Sequence, residues 1–249
     1  MRTTALLCLL YLMSPPAWGD GRSAQQLSEL GSRSRLLCAS AMVYFNPQDR
    51  SPDPRSLSAA FYHLNTLETH VVQLGQPDPL AQPLRAMKRL FTELDRLPRA
   101  QRERYPELIR QLLVEHVQLR QGADAHARAH RDLLAIASLQ PFNAQSQALA
   151  SLLLDYQLHR YPLPDKADFA LTPAQLQALD AAIEQRFDSL LAAYSAHAEV
   201  LVKVRGNYRF VRAELQQPKG RAQGGAEFYL SRAVLDLDEL ALTLLGKQG

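Results

Sequence analysis

The sequence predicts an all-α fold, an antiparallel helical bundle with one long helix in its C-terminal half, and three observations carry that expectation. Apolar residues recur at alternating steps of three and four along most of the chain, the spacing of a helix face buried against a partner. Period-two alternation bounded by turn signals is essentially absent, so no sheet is expected. Prolines, glycines and capping residues divide the pattern into segments of helical length. Hydrophobic residues make up 47% of the chain, enough for a sizeable core. We take residues 20–249 as a single domain, with a subdivision at 161–172 left open.

The chain opens MRTTALLCLLYLMSPPAWG. Arg2 precedes an apolar run from Ala5 to Met13, then Pro15 and Pro16, then Ala17-Trp18-Gly19. Small residues at the third and first positions before Asp20 fit a signal-peptidase site, so 1–19 reads as a cleaved secretory signal. Its apolar run is too short to span a bilayer, which takes about 20 residues. The longest later run, Ala148 to Leu154, closes at Asp155. The expected location is the periplasm, with no membrane span in the mature chain. Loss of Arg2 takes the formal charge from +3 to +2. So balanced a charge offers no field for gripping nucleic acid, and no such partner is expected. Cys38 is the only cysteine after the signal, which excludes an internal disulfide and reads as a small buried hydrophobe.

The first helix is expected from about Ser23 to Tyr44, with Leu27, Leu30, Ser34, Leu37, Ala41 and Tyr44 as its stripe. A loop with three prolines ends in Asp53-Pro54, an N-cap followed by a first-turn proline. The second helix then covers Arg55 to Leu74 and stops at Gly75. Asp78-Pro79 or Gln82-Pro83 opens a third, reaching Leu97, and a short helical turn lies between Pro98 and Pro106. The fourth runs from Pro106 to Gln121; Gly122 and Asp124 read as a cap and restart, giving a fifth to Leu139. Pro141 breaks that helix and Asn143 caps another to Arg160. Tyr161 to Thr172 reads as a linker, and Thr172-Pro173 as a helix start. From Pro173 the pattern stays helical to Gln217, a rod of about 67 Å with Gly206 as a site for a bend. Its seam is Leu190, Tyr194, His197, Leu201, Val204, Tyr208, Val211 and Leu215. A glycine-rich turn leads to a last helix, about Ala226 to Leu245, striped by Leu230, Val234, Leu237, Ala241 and Leu244. The rod outreaches its neighbours, so a homodimer along the overhang is a candidate assembly.

One flank of that seam carries Arg205, Arg209 and Arg212. They read either as flanking charges paired with a neighbouring helix or as a small-anion site, since guanidinium groups match carboxylate, nitrate or phosphate with paired donors. Folding the last helix back would set Arg205 opposite Asp236 to Glu239, bring Arg212 toward Glu227 and leave Arg209 facing Ala233. Arg33 and Arg35 form a second basic pair, and the candidate ligand site lies where the first helix meets the arginine flank. His126 and His130 stand four apart, a spacing that can present two imidazoles to one metal. With no HExxH or thiolate cluster beside them, hydrogen-bonded interface histidines are the preferred reading. No nucleophile elbow, glycine-rich phosphate loop or CxxCH occurs. No catalytic residue, enzyme activity or cofactor is expected.

Arg33 to Met42, RSRLLCASAM, resembles the first-helix motif of pilus-type methyl-accepting transducer N-terminal domains and nitrate-sensor input domains, roughly G-R-Q-R-M-L-S-Q-R-M-A. Arg35-Leu36-Leu37 and Met42 fit it; Ser40 replaces the second arginine, and Gly31 is displaced by one position. Tyr208 to Leu215 followed by Phe228 to Val234 is similar to segments of secreted helical proteins. The resemblance implies an extracytoplasmic ligand-binding or sensory-accessory bundle in which Arg35 carries over. The expected function is an exported module that binds a small anionic ligand or an envelope protein partner. The alternatives are metal binding through the helix histidines and a purely structural protein-interaction module.

Overall fold

The computed structural model describes residues 17–49, 51–129, 139–216 and 224–247. Among these the fold is an all-α helical bundle without strands. Its helices are α1 (Ala17–Tyr44), α2 (Pro54–Gln73), α3 (Asp78–Arg96), α4 (Tyr105–Ala129), α5 (Gln140–Arg160), α6 (Pro173–Ala193), α7 (Ala198–Leu215) and α8 (Gly224–Lys247). Residues 1–16 of the expected signal, and the expected helix between 130 and 138, lie outside the described residues. No helix among the described residues is long and apolar enough to cross a membrane.

The centre of the bundle is α1, which packs against α2, α4, α5 and α8. Between Gln25 and Val43 only Ser28 and Arg35 keep appreciable surface. With α5 it forms a wall shared by two apolar clusters. One gathers Leu37, Cys38, Ala41 and Met42 of α1 with the buried faces of α2, α3 and α4. The other gathers Leu36 and Ala39 with α5, α6, α7 and α8. The free thiol of Cys38 is buried, and burial raises its pKa strongly, so it behaves as an apolar side chain.

Local signals explain most boundaries. Asp53 caps α2 through the Arg55 amide at 2.9 Å, with Pro54 in the first turn. Past its end Gly75 takes φ +81°, the left-handed turn that glycine tolerates. Thr172 and Gln175 form a capping box at the start of α6. Pro98 to Pro106 holds a 3₁₀ turn, Arg99–Arg104. Two prolines lie within helices, and of the two starts open for α3 the structure takes Asp78-Pro79. Pro141 sits in the first turn of α5, where a missing N–H costs nothing, so Asn143 lies inside the helix rather than capping it. Pro83 lies within α3 and withholds the donor that the Pro79 carbonyl would otherwise receive.

That freed carbonyl accounts for Gly122. α4 runs through Gly122 without a restart, because the glycine lets the start of α3 lie against it. A Cβ there would overlap the Pro79 carbonyl oxygen and stand 3.0 Å from its carbon.

The largest departure is the expected 67 Å rod. The helix ends at Ala193; Tyr194 turns out at φ −124°, ψ 52°, a 3₁₀ turn covers Ser195–His197, and α7 starts at Ala198. α6 and α7 fold back as an antiparallel hairpin. A straight rod would carry half its apolar seam past α1, which at 28 residues spans about 42 Å. Folding instead places Ile183, Phe187 and Leu190 in one cluster with Leu201, Val204 and Tyr208. Tyr194 stays at the corner, its ring edge-on to Phe142 at 4.7 Å. Without the overhang, the ground for expecting a dimer there disappears.

Because the obstruction at Gly122 is backbone, Gly122→Ala should destabilise the fold by about 2 kcal/mol despite alanine's better helix propensity. A urea-unfolding midpoint measures this; an unchanged or raised midpoint contradicts the close approach.

Candidate functional site

The arginine flank of α7 meets an acidic ladder. Asp180, Glu184 and Asp188 stand four apart on α6, so they share one helical face. Arg205 reaches Glu184 at 2.6 Å and Asp188 at 2.8 Å; Arg209 reaches Glu184 at 2.8 Å, and Arg212 reaches Asp180 at 2.5 Å. The Tyr208 hydroxyl also donates to Asp180. Hydrogen bonds from Arg209 and then Arg205, outweighing burial, hold the Glu184 carboxyl down to about 2. The pairing helix is thus α6, not α8. On α8, Asp236 takes Lys203 and Arg232 instead, and Glu227 accepts from Ser40 and Ser56 at 2.5 and 2.6 Å. The i, i+4, i+8 run of acids was a readable signal once a fold-back between them and the arginines is admitted.

Arg33 and Arg35 face opposite ways. Arg33 is buried between Glu29 at 3.2 Å and Asp238 of α8 at 3.0 Å. His70 of α2 shares a 3.0 Å hydrogen bond with Glu29, and Ser146 of α5 donates to Asp238 at 2.8 Å. Burial pushes the Asp238 carboxyl up to about 7. Although burial also opposes ionisation of Glu29, the His70 hydrogen bond and the Arg33 charge hold its pKa below the ordinary value. This knot ties four helices together and lies inside the protein. Neither α1 arginine shares a partner with Arg205, Arg209 or Arg212, so the expected site joining the two groups is not formed.

Arg35 borders a cavity of about 320 Å³ between α1, α4 and α5. Its Nη1 donates to the Gly31 carbonyl at 2.8 Å and to Gln147 Oε1. Gln147 in turn donates to the Ser28 carbonyl, so one amide orients the guanidinium against the α1 backbone. Gly31 makes that possible, since a Cβ would stand 2.6 Å from Gln147 Nε2. The Nε–Nη2 edge of Arg35 donates to no described residue. Burial, and then the charge of Arg120, push the guanidinium down to about 10. Across the cavity Arg120 has, among the described residues, a loose 3.5 Å pair with Asp124, both side chains well exposed. Ala24, Leu27, Ala123, Ala127 and Leu139 supply apolar wall. Arg120, Asp124 and Gln147 carry no motif, and sequence reading passed over them.

The histidines are dispersed. His126 is half-buried near the end of α4, and His130 lies outside the described residues. His116 is buried and shares a 2.8 Å hydrogen bond with Ser34; burial, then the charges of Arg35 and Arg120, keep it neutral. His63 is buried on α2, and burial with the Arg33 charge pushes it down to about 3. No group of three His, Cys, Asp or Glu side chains arranged to hold a metal occurs among the described residues. Comparison of the chain with protein-family models, curated proteins and solved structures finds no match.

Removing one partner from a buried ion cluster strands the others, so Arg33→Met should cost about 3–5 kcal/mol at pH 8. The raised Asp238 carboxyl takes up its proton as pH falls through 7, and once neutral it no longer requires the guanidinium. The penalty should therefore shrink toward pH 5.5, which paired denaturation curves at the two pH values test. A penalty that stays constant or grows on acidification contradicts the sign.

Proposed function

We propose that the chain is an exported, periplasmic helical-bundle binding protein, an accessory of the cell envelope, that holds a small anionic ligand in the cleft between α1, α4 and α5. The observation that carries this reading is Arg35: a half-buried guanidinium, oriented by Gln147 and Gly31, without a carboxylate partner among the described residues. The cationic groups elsewhere in the candidate set already meet acids. A guanidinium whose Nη1 is fixed on its own backbone presents its remaining edge to a two-oxygen anion without further ordering. The same residue is the one the first-helix resemblance points to, and the N-terminal segment supports export.

Thermal unfolding in nitrate, phosphate or butyrate, against chloride at equal ionic strength, tests the reading. A ligand at a hundred times its Kd contributes about 2.7 kcal/mol, a shift on the order of 5 °C for a chain of this size. At least one anion should produce such a shift, and Arg35→Gln should abolish it while far-UV circular dichroism stays helical. No shift in any anion, or a shift that survives in Arg35→Gln, refutes it.

A second reading, a protein-interaction module, is favoured by one observation. Phe210 and Phe228 are 71% and 59% exposed, with Tyr229 packed between them. Loss of an envelope crosslink in Phe210→Ser, with the anion response intact, would assign that surface a separate role.

A further inference from the structure

The size, charge and lining of the Arg35 cleft narrow its ligand class. At about 320 Å³ the cavity has room for roughly ten waters at about 30 Å³ each, several times what nitrate or phosphate would fill. It falls at the lower end of the range for small organic ligands. The charged groups are Arg35, Arg120 and Asp124, with Ser28, Gln140, Asn143 and Gln147 as the neutral polar lining, whereas Ala24, Leu27, Ala123, Ala127 and Leu139 form an apolar wall. An inorganic ion bound to the arginines would leave that wall wet. Charge sets the valence: two guanidinium groups against the Asp124 carboxylate leave one net positive charge. That matches a monoanion and leaves a dianion uncompensated.

We propose that this cleft takes a small organic monocarboxylate, its carboxylate held by the free edge of Arg35 and by Arg120, its hydrocarbon body against the alanine and leucine wall. The inference rests on the anion-binding reading above and specifies it. Arg120 swings from its loose pair with Asp124 to close on the ligand; Gln147 keeps Arg35 in place. Affinity then comes from two separable parts, a charge-dependent head and an area-dependent tail.

Isothermal titration of the full chain with acetate, butyrate, hexanoate and benzoate, alongside nitrate, phosphate and 1-hexanol at constant ionic strength, separates these parts. Each added methylene should tighten binding about threefold to fourfold between acetate and hexanoate. Arg120→Gln should weaken every carboxylate about tenfold. Ala127→Phe, which fills the apolar end of the cleft, should remove the advantage of hexanoate over acetate. Both substitutions lie on α4 where side chains retain surface, and circular dichroism with a melting curve checks that each variant folds. If nitrate or phosphate binds as tightly as hexanoate and needs Arg35, the organic-acid assignment falls while the anion site stands. If 1-hexanol matches hexanoate, the carboxylate has no role and both fall. No binding of any anion also overturns both.

Discussion

The fold depends on keeping α1 dry on nearly every side although it carries ionisable and amide side chains. Glu29, Arg33, Ser34 and Ser40 are all buried on this one helix. Each is answered from a neighbouring helix: His70 of α2 and Asp238 of α8 for the ion cluster, His116 of α4 for Ser34, and Glu227 of α8 for Ser40. Apolar packing alone tolerates a slip of one helix along another. A polar partner left behind by such a slip would be buried and unpaired, at a cost of several kcal/mol against a net stability of about 5–15. The polar pins therefore set the axial register of α2, α4, α5 and α8, and the leucines supply the bulk of the driving force.

The same competition decides the C-terminal half. Helix propensity through Ala192, Ala193, Tyr194, Ser195 and Ala196 is adequate for a continuous rod, and no glycine or proline marks a break there. What a rod cannot do is bury both halves of its seam against a bundle only about 42 Å long while bringing three arginines to three acids. The hairpin achieves both at the cost of an interrupted stretch from Tyr194 to His197, with the Tyr194 ring packed on Phe142. Local preference is overridden because the apolar area gained on folding back exceeds the few hydrogen bonds interrupted at the corner.

The two α1 arginines show how far a motif can be read. Residues 33 and 35 differ by about 200° around a helix, so they cannot serve one site, however adjacent they are in sequence. Arg33 turns toward α8 and becomes part of the structural knot; Arg35 turns toward α4 and α5 and borders the cleft. Recognition of Arg35 came from its residue neighbours, but its companions Arg120, Asp124 and Gln147 belong to helices distant in the chain. No spacing rule links them, because their proximity is a property of packing. Arg205, Arg209 and Arg212 make the complementary case: an evident row whose partners lay about 20 to 30 residues upstream on a helix assumed to continue into their own.

By itself the sequence determined the helical class, most of the capped boundaries and the apolar faces, since these follow from periodicity, proline geometry and side-chain hydrogen bonding within a few residues. Asp53-Pro54 and Thr172-Pro173 start helices as written, and the stripe from Leu230 to Ala241 is buried as its spacing requires. Tertiary structure decided between the two starts open for α3, put Asn143 inside a helix, gave Gly122 a backbone approach to serve, and folded the presumed rod at Tyr194. It also decided which of the candidate arginines meet carboxylates, and left Arg35 with an edge that donates to no described residue. Those outcomes depend on energies shared between segments far apart in the chain, where burial of area and the cost of an unpaired charge outweigh any preference a short window can express.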